Sequence, residues 1–180
     1  MLTRRTSFSA IAATALLVGA VGAGVAQSDT RAGSPTPSAA TGIEHLRTQV
    51  DLPAGAWTDT PLEVTLPRHG TYELDADVRG RLQGLPPINT YITARLWNVT
   101  SGTAVPDSER LVNQIIDSNG GNSEAGGNQT APISELIKVD KATTIRLQAR
   151  RIDAVGAATI GQIYSDDQGY TSLRYERVGS

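Results

Sequence analysis

Apolar and polar residues alternate at a period of two along most of the chain from Ile43 onward. In residues 72–79, a tyrosine and three aliphatic residues alternate with Glu, Asp, Asp and Arg. Residues 62–66, 91–97 and 145–150 show the same alternation. Such a pattern is typical of a strand with one face buried and the other in solvent. The pattern therefore predicts a strand in each of these runs.

Less regular runs predict further strands, and the segments between them favour turns. The additional predicted strands are residues 109–117, 131–139, 158–164 and 170–178. The breaks are rich in Gly, Pro, Asn and Ser, and the longest, residues 118–128, is predicted to be a flexible glycine-rich loop. No run sustains helical periodicity over two turns. About nine to ten short antiparallel strands indicate an all-β fold, a jelly-roll β-sandwich over residues 43–180.

The N-terminal segment, residues 1–26, has the three parts of a secretory signal peptide. Arg4 and Arg5 supply positive charge, residues 11–25 are uncharged and apolar, and small residues lead up to a cleavage site after Ala26. The apolar run is shorter than the roughly 20 residues that span a bilayer, so no membrane span is expected after cleavage. The general secretory route and the twin-arginine route both fit this leader.

Residues 27–42 consist mainly of Ser, Thr, Ala, Pro and Gly. A segment with so few bulky apolar residues cannot bury enough surface to offset its ordering entropy, which predicts a disordered linker. The chain is therefore divided into a signal peptide, a linker over residues 27–42 and a β-sandwich domain over residues 43–180. The expected location is outside the cell.

Composition narrows the range of functions. The 180 residues include no cysteine, which excludes a disulfide framework, a thiol nucleophile and a zinc site with sulfur ligands. Sixteen basic and eighteen acidic residues give a formal net charge of −2, which argues against binding nucleic acid by charge alone. Fourteen of the sixteen basic residues are arginine, and we interpret this bias as that of a GC-rich bacterial genome.

The sequence contains three short motifs: Trp57 in an early strand, Gly-Thr-Tyr-Glu-Leu-Asp-Ala at residues 70–76, and Thr-Ser-Leu-Arg-Tyr at residues 171–175. These motifs resemble those of the complement-globular-head and tumour-necrosis-factor-like jelly-roll superfamily. The resemblance covers about residues 42–178. The sequence departs from the family where Val-Asp-Lys-Ala at residues 139–142 replaces a Gly-Asp turn, and it has no Gly-X-Y collagen stalk.

The resemblance implies that residues 72–79 and 170–178 are neighbours in the inner sheet, whose outer surface forms the trimer contact of the family. Desolvating carboxylates there costs several kcal/mol unless they are paired. Opposite charges on adjacent strands can supply that pairing. A homotrimer is therefore expected to depend on these charges. The candidate interface residues are Glu73, Asp75, Asp77, Arg174 and Glu176.

The same topology implies that residues 89–98 and 143–152 lie in the second sheet, with aromatic and arginine side chains pointing outward. Ring faces and guanidinium groups can stack on sugar rings or hold an anion. The alternative is that these side chains form cross-strand pairs that stiffen the surface, with Trp97 covered by a loop. The candidate ligand-binding residues are Tyr91, Arg95, Trp97, Arg146 and Arg150, with Thr93 and Gln148 between them.

No motif predicts catalysis or a cofactor. Asp166 and Asp167 could contribute to a calcium site, but they fall short of the six to eight oxygen ligands that calcium takes, and a solvated turn is the favoured interpretation. His45 and His69 belong to no metal-binding or general-base motif, and a G-x-S-x-G nucleophile elbow is absent.

The sequence therefore predicts a secreted, non-enzymatic binding module that presents a sheet face to a ligand. The ligand classes expected are a cell-surface component, a carbohydrate, an anion or a protein. An alternative is a trimeric structural subunit of an envelope or spore-surface layer. A small hydrolase is a third class, and it lacks a nucleophile–base signature. No cofactor, nucleic acid or membrane partner is expected.

Overall fold

The structure, a computed structural model, describes residues 40–180. The predicted signal peptide and nearly all of the predicted linker lie outside these residues. Within residues 40–180 every regular element is a strand, and no helix is available that could cross a membrane. The strands are β1 (Thr41–His45), β2 (Val50–Asp51), β3 (Trp57–Leu66), β4 (Gly70–Gly84), β5 (Ile88–Asn98), β6 (Thr103–Ala104), β7 (Arg110–Asp117), β8 (Ala125–Val139), β9 (Thr143–Val155), β10 (Ala158–Ile163) and β11 (Ser172–Gly179).

The strands form two antiparallel sheets, here named sheet A and sheet B. In sheet A, β8 pairs with β4 along its whole length, from Gly70 to Gly84. The other edge of β4 pairs first with β11 and then with β10, and these two strands continue outward to β1 and β2. Sheet B has the order β3-β9-β5, and β7 and β6 share the far edge of β5.

The order of the strands is that of a jelly roll. Without β2, β6 and β10, eight strands remain. Numbered 1 to 8 along the chain, they lie in the order 1-8-3-6 in sheet A, which is β1-β11-β4-β8. In sheet B they lie in the order 2-7-4-5, which is β3-β9-β5-β7. Two interlocked Greek keys produce this order. The predicted all-β jelly-roll sandwich is confirmed, with eleven strands in place of about nine to ten.

The core lies between the sheets and is built from the inward half of each alternating run. Tyr72, Leu74 and Val78 of β4 are fully buried, and so are Ile92 and Leu96 of β5. Each fully buried aliphatic side chain of this size contributes about 1.5–3 kcal/mol relative to exposure. The alternation read from the sequence therefore assigned the buried face of these strands correctly.

Strand β8 is longer than predicted, because it includes part of the predicted loop. The glycine-rich segment was expected to be a loop as far as Asn128, yet β8 begins at Ala125 and Gly126 pairs with Gln83. A β-carbon at Gly126 would lie 2.5 Å from the carbonyl oxygen of Leu82, so the strand can approach β4 here only without a side chain.

The first and last strands of the domain are neighbours. β1 begins at Thr41, inside the segment predicted to be a linker, and pairs with β11. The register places Ile43 opposite Arg174, and the amide of Arg177 donates to the carbonyl oxygen of Ala40 at 2.9 Å. β11 itself begins at Ser172, two residues later than the predicted strand.

One buried amide links the two sheets. Asn113 of β7 is only 1% exposed, and its Nδ2 donates to the carbonyl oxygens of Gly80 in β4 at 3.0 Å and Gly127 in β8 at 2.8 Å. These bonds cross from sheet B to sheet A. They join β7 of sheet B directly to β4 and β8 of sheet A.

We expect Asn113→Ala to lower the free energy of unfolding by about 1–3 kcal/mol, because the two hydrogen bonds that join β7 to β4 and β8 are lost. Urea unfolding would measure the change. Gln114→Ala is the matched control, since Gln114 is half-buried and donates only to Asn89 at the surface. Equal losses in the two variants would contradict the bridging role of Asn113.

Candidate functional site

The outer face of sheet B brings together most of the candidate ligand-binding residues. β5 and β9 are adjacent, and their register pairs Arg95 with Gln148 and Trp97 with Arg146. β3 adds a further aromatic residue, since Trp57 pairs with Arg150. The result is one continuous surface of aromatic and charged side chains across three strands.

A guanidinium–tryptophan stack lies at the centre of this face. The Cζ atom of Arg95 lies 3.9 Å from the ring centroid of Trp57 and 4.8 Å from that of Trp97. Arg150 lies over Trp57 as well, at 4.6 Å. The Nε of Arg95 donates to Oε1 of Gln148 at 2.9 Å. Each such stack contributes about 0.5–2 kcal/mol, according to how far it is removed from water.

Sequence reasoning missed the place of Trp57 in this stack. Alternation was recognised only from Leu62 onward, because residues 58–61 (Thr, Asp, Thr and Pro) include no bulky aliphatic or aromatic side chain. The register shift between Asp59 and Glu63 adds two residues to β3 and so preserves the parity of the strand. Counting back from buried Leu62 assigns Trp57 to the outer face together with Asp59 and Glu63, and this signal could have found it.

The remaining arginines of this face are engaged with acidic partners on the same chain. Arg146 donates from Nη1 to Asp59 at 2.5 Å and from Nε to Glu63 at 2.7 Å. Arg150 donates from Nη2 to Glu109 at 3.1 Å. Such cross-strand ion pairs match the alternative interpretation, in which these side chains stiffen the sheet.

Burial lowers the pKa of Arg95 from its ordinary value, and Arg150 nearby lowers it further, while Glu109 and Asp59 oppose the change. The lowered pKa of Arg95 reflects its enclosure by neighbouring side chains. Tyr91 lies on the same strand but outside the stack, because its register partners are Gln114 and Ile152.

A groove runs beside this stack. Its volume is about 460 Å³, and Arg95 forms one wall while residues 104–110 form the other. The second wall is fixed by buried Ser108, whose hydroxyl donates to the carbonyl oxygen of Val105 at 2.7 Å and accepts from the amide of Leu96 at 3.1 Å. The groove is therefore preformed, and β6 beside it pairs with Trp97.

The outer face of sheet A carries the candidate interface residues. As the resemblance implies, β11 lies beside β4, with Arg174 opposite Asp75 and Glu176 opposite Glu73. Arg174 and Asp75 form a salt bridge of 2.7 Å, and the hydroxyl of Ser134 donates to Asp75 at 2.5 Å. Burial tends to raise the pKa of Asp75, but the bonds from Arg174 and Ser134 outweigh it and hold that pKa below its ordinary value.

Other groups on this face have no such partner. Among residues 40–180, no salt bridge includes Glu73, Asp77 or Glu176. Large apolar side chains lie around them: Leu136 is 68% exposed, and Ile43 and Val178 are each 51% exposed. Exposed apolar side chains beside unpaired charges on one sheet face indicate a surface available for contact.

The Asp166–Asp167 segment differs from the predicted solvated turn. Asp166 forms a 2.5 Å salt bridge with Nη1 of Arg79, and Arg79 lies over the ring of Tyr164 at 4.7 Å. The same Nη1 also bonds the carbonyl oxygen of Gly169. Arg79 thus links the β10–β11 loop to β4. It already forms a salt bridge with the carboxylate of Asp166, which a metal ion would need as a ligand. The part of the chain described here contains no cluster of three or more potential metal ligands from His, Cys, Asp and Glu.

No protein-family model and no curated protein matches the chain. Its fold is similar to solved structures of infectious bursal disease virus. The structure of the Gt strain gives a TM-score of 0.47 at 12% identity, with 78% of this chain and 33% of that chain covered. A VP2 subviral particle gives 0.46 at 13% identity, with the same two coverages of 78% and 33%. The chain spans about a third of the length of these structures. The jelly-roll assignment rests on the strand order.

We expect Asp166→Asn to destabilise the domain at neutral pH and to have little effect in acid. The bond from Arg79 lowers the pKa of Asp166 from its ordinary value of 3.8, although burial acts in the opposite direction. The carboxylate therefore stabilises the fold at pH values above 3.8, and this contribution disappears as the pH falls through the lowered pKa.

Unfolding by urea at a series of pH values would measure this difference. Asp167→Asn is the matched control, because Asp167 is exposed and has no salt bridge among residues 40–180. A constant difference between wild type and Asp166→Asn from neutral pH down to strong acid would show that the ion pair is not its source.

Proposed function

We propose that the chain is a non-enzymatic structural subunit that assembles with copies of itself through the outer face of sheet A. The observation that carries the proposal is the combination on that face of Leu136, Ile43 and Val178, all exposed, with carboxylates that have no ion-pair partner. Exposed apolar side chains on the face of a sheet lose contact with water when a second copy covers them.

The contrast with sheet B supports this assignment. There the candidate arginines have partners already: Arg95 lies between two tryptophan rings, and Arg146 and Arg150 are bonded to acidic residues. A face whose charges are satisfied internally offers fewer groups to a ligand. The outer face of sheet A retains groups that only another molecule can engage.

Membership of the complement-globular-head and tumour-necrosis-factor-like superfamily is part of the proposal. Its support is the pairing of β11 with β4 and the placement of β5 and β9 in the opposite sheet, as the motif resemblance implies. A homotrimer is the assembly that such membership implies. The signal-peptide pattern of residues 1–26 supports a place outside a bacterial cell, in an envelope or spore-surface layer.

We expect Leu136→Ser to weaken self-association at least about tenfold, because it removes the most exposed apolar side chain of the contact face. Light scattering on residues 27–180 over a concentration series would measure the molar mass, and this segment contains all eleven strands. Leu111→Ser is the matched control, since Leu111 is 53% exposed on β7 of the other sheet. A monomer at every concentration would overturn the proposed function.

Recognition of a ligand by sheet B is the second candidate function. The observation that favours it is the preformed groove of about 460 Å³ between Arg95 and residues 104–110, with Trp97 next to it. Partly exposed tryptophan beside polar groups suits a sugar ring, because the ring face packs on apolar C–H groups while hydroxyls find hydrogen bonds.

For this second candidate, we expect Trp97→Ala to reduce retention on a panel of insoluble bacterial polysaccharides and peptidoglycan by about tenfold or more while the β-sheet circular dichroism is unchanged. Tyr170→Ala is the matched control, since Tyr170 is 50% exposed in the β10–β11 loop, away from sheet B. Equal retention of wild type and Trp97→Ala would remove this face as the binding site.

A further inference from the structure

Arg151 of β9 is a charged side chain that points into the sandwich. It pairs with buried Ile92 of β5, so its side chain lies between the sheets, and it is only 15% exposed. Among residues 40–180 its ionic partner is Asp153, at 3.2 Å, and its buried Nε has no hydrogen-bond partner. A buried N–H group without an acceptor is costly to the fold. Arg151 therefore has capacity for a further acceptor.

A cavity of about 480 Å³ opens beside Arg151, at the edge of sheet A that β2 and β10 form. Gly161 of β10 lines this cavity, and a β-carbon there would lie 2.4 Å from Cδ of Arg151. The absence of a side chain thus lets Arg151 extend from sheet B to the edge of sheet A. The other lining residues are Asp51, Leu52, Pro53, Thr159, Ile160 and Gln162.

Half of the β10 edge beside the cavity has no neighbouring strand. β2 pairs only with Gln162 and Ile163, and the amide of Leu52 donates to the carbonyl oxygen of Gly161 at 2.8 Å. Within residues 40–180, no strand pairs with residues 158–160 on this side. An unpaired edge can accept an extended segment as an added strand.

One segment of the chain outside the described residues carries charges that match this site. The predicted cleavage after Ala26 leaves residues 27–39 ahead of the domain, and Asp29 and Arg31 are their only charged side chains. In an extended strand, side chains two residues apart lie on the same side, about 6.6 Å from each other. No proline interrupts residues 27–34, so this part retains every backbone donor that a strand needs.

The two charges of this segment complement those around the cavity. Nε of Arg151 lacks an acceptor, and a carboxylate such as that of Asp29 binds a guanidinium through charge-assisted hydrogen bonds. Two acidic residues lie near Arg151: Asp153 is its ionic partner, and Asp51 lines the cavity. Arg31 offsets these acids, so the segment brings no net charge to a site that already contains both signs.

The segment is too short to reach this cavity on its own copy. Strand β1 runs toward the cavity, so the chain before Thr41 enters from the far end of sheet A, where Ala40 accepts a bond from Arg177. Arg177 and Gln162 pair with β4 at positions nine residues apart, which is about 30 Å. The eleven residues from Asp29 to Ala40 span at most about 36 Å, and a reversal of direction by about four of them leaves about 23 Å. The cavity is therefore within reach only on a second copy.

We infer that residues 27–34 of one copy add as a strand to the free edge of β10 in a second copy, with Asp29 bound to Arg151. The inference goes beyond the proposed function, because it uses the β10 edge and not the outer face of sheet A. The segment and the cavity are different parts of the chain, so the contact is heterologous and can link successive copies. A segment that becomes ordered on binding gives a modest affinity.

A synthetic peptide of residues 27–36 tests the contact on residues 40–180, which contain all eleven strands. Fluorescence anisotropy of the labelled peptide would measure the dissociation constant. We expect saturable binding to the wild-type domain. The peptide variant Asp29→Asn should raise the dissociation constant at least about fivefold, because the charge-assisted bond to Arg151 is lost.

The corresponding change on the domain is Arg151→Gln, which should also raise the dissociation constant at least about fivefold. Arg68→Gln is the matched control, since it makes the same charge change in the exposed β3–β4 turn at the far end of sheet A and should leave the constant within about twofold. Thermal unfolding would establish that each variant folds. If Arg151→Gln does not fold, the peptide variant on the wild-type domain decides the question alone.

The two changes combined form a double-mutant cycle. Binding that each change weakens, with little further loss when both are present, supports a direct contact between Asp29 and Arg151. Additive losses, binding that neither change weakens, or no binding of the wild-type peptide at millimolar concentration would each overturn it. None of these results bears on the outer face of sheet A, which Leu136→Ser tests separately, so the two proposals can fail independently.

Discussion

Strand β4 is hydrogen-bonded on both edges along nearly its whole length, and the rest of the sandwich depends on this pairing. β8 holds one edge, while β11 and β10 share the other. A shift of one residue in any of these ladders would exchange the buried and exposed faces of a strand. The pairing therefore determines at once which side chains fill the core and which reach the outer face of sheet A.

The two outer faces treat their charges differently because their strands place different residues opposite one another. On sheet B, acidic residues of β3 and of the loop before β7 form salt bridges with Arg146 and Arg150, so these arginines are paired within the chain. On sheet A, β11 places Glu176 opposite Glu73, and only Arg174 compensates an acid of β4. The charges of sheet B are thereby paired, whereas Glu73, Asp77 and Glu176 of sheet A form no salt bridge among residues 40–180.

Alternation predicted the strands whose inward face fills the core, including the second half of the edge strand β3, and it failed where distant contacts decide the structure. β5 and most of β9 obey period two because one face packs in the core and the other does not. The start of β8 lacks apolar residues and is ordered by β4, so its composition indicated a loop. Trp57 keeps the parity of β3, but the polar residues 58–61 separate it from the apolar run that begins at Leu62, so it was not assigned to a face. The role of Asp166 depends on Arg79, which is distant in sequence and cannot be inferred from local composition.

The pairing of β1 with β11 has a consequence for the order in which the fold can form. The first strand of the domain finds its partner only in the last strand, which also supplies an edge for the first half of β4. Sheet A is thus incomplete until the C-terminal strand has left the ribosome. Contacts between such distant segments delay folding, because the loop between them must close first. The sandwich can therefore close only after all of residues 41–179 have emerged.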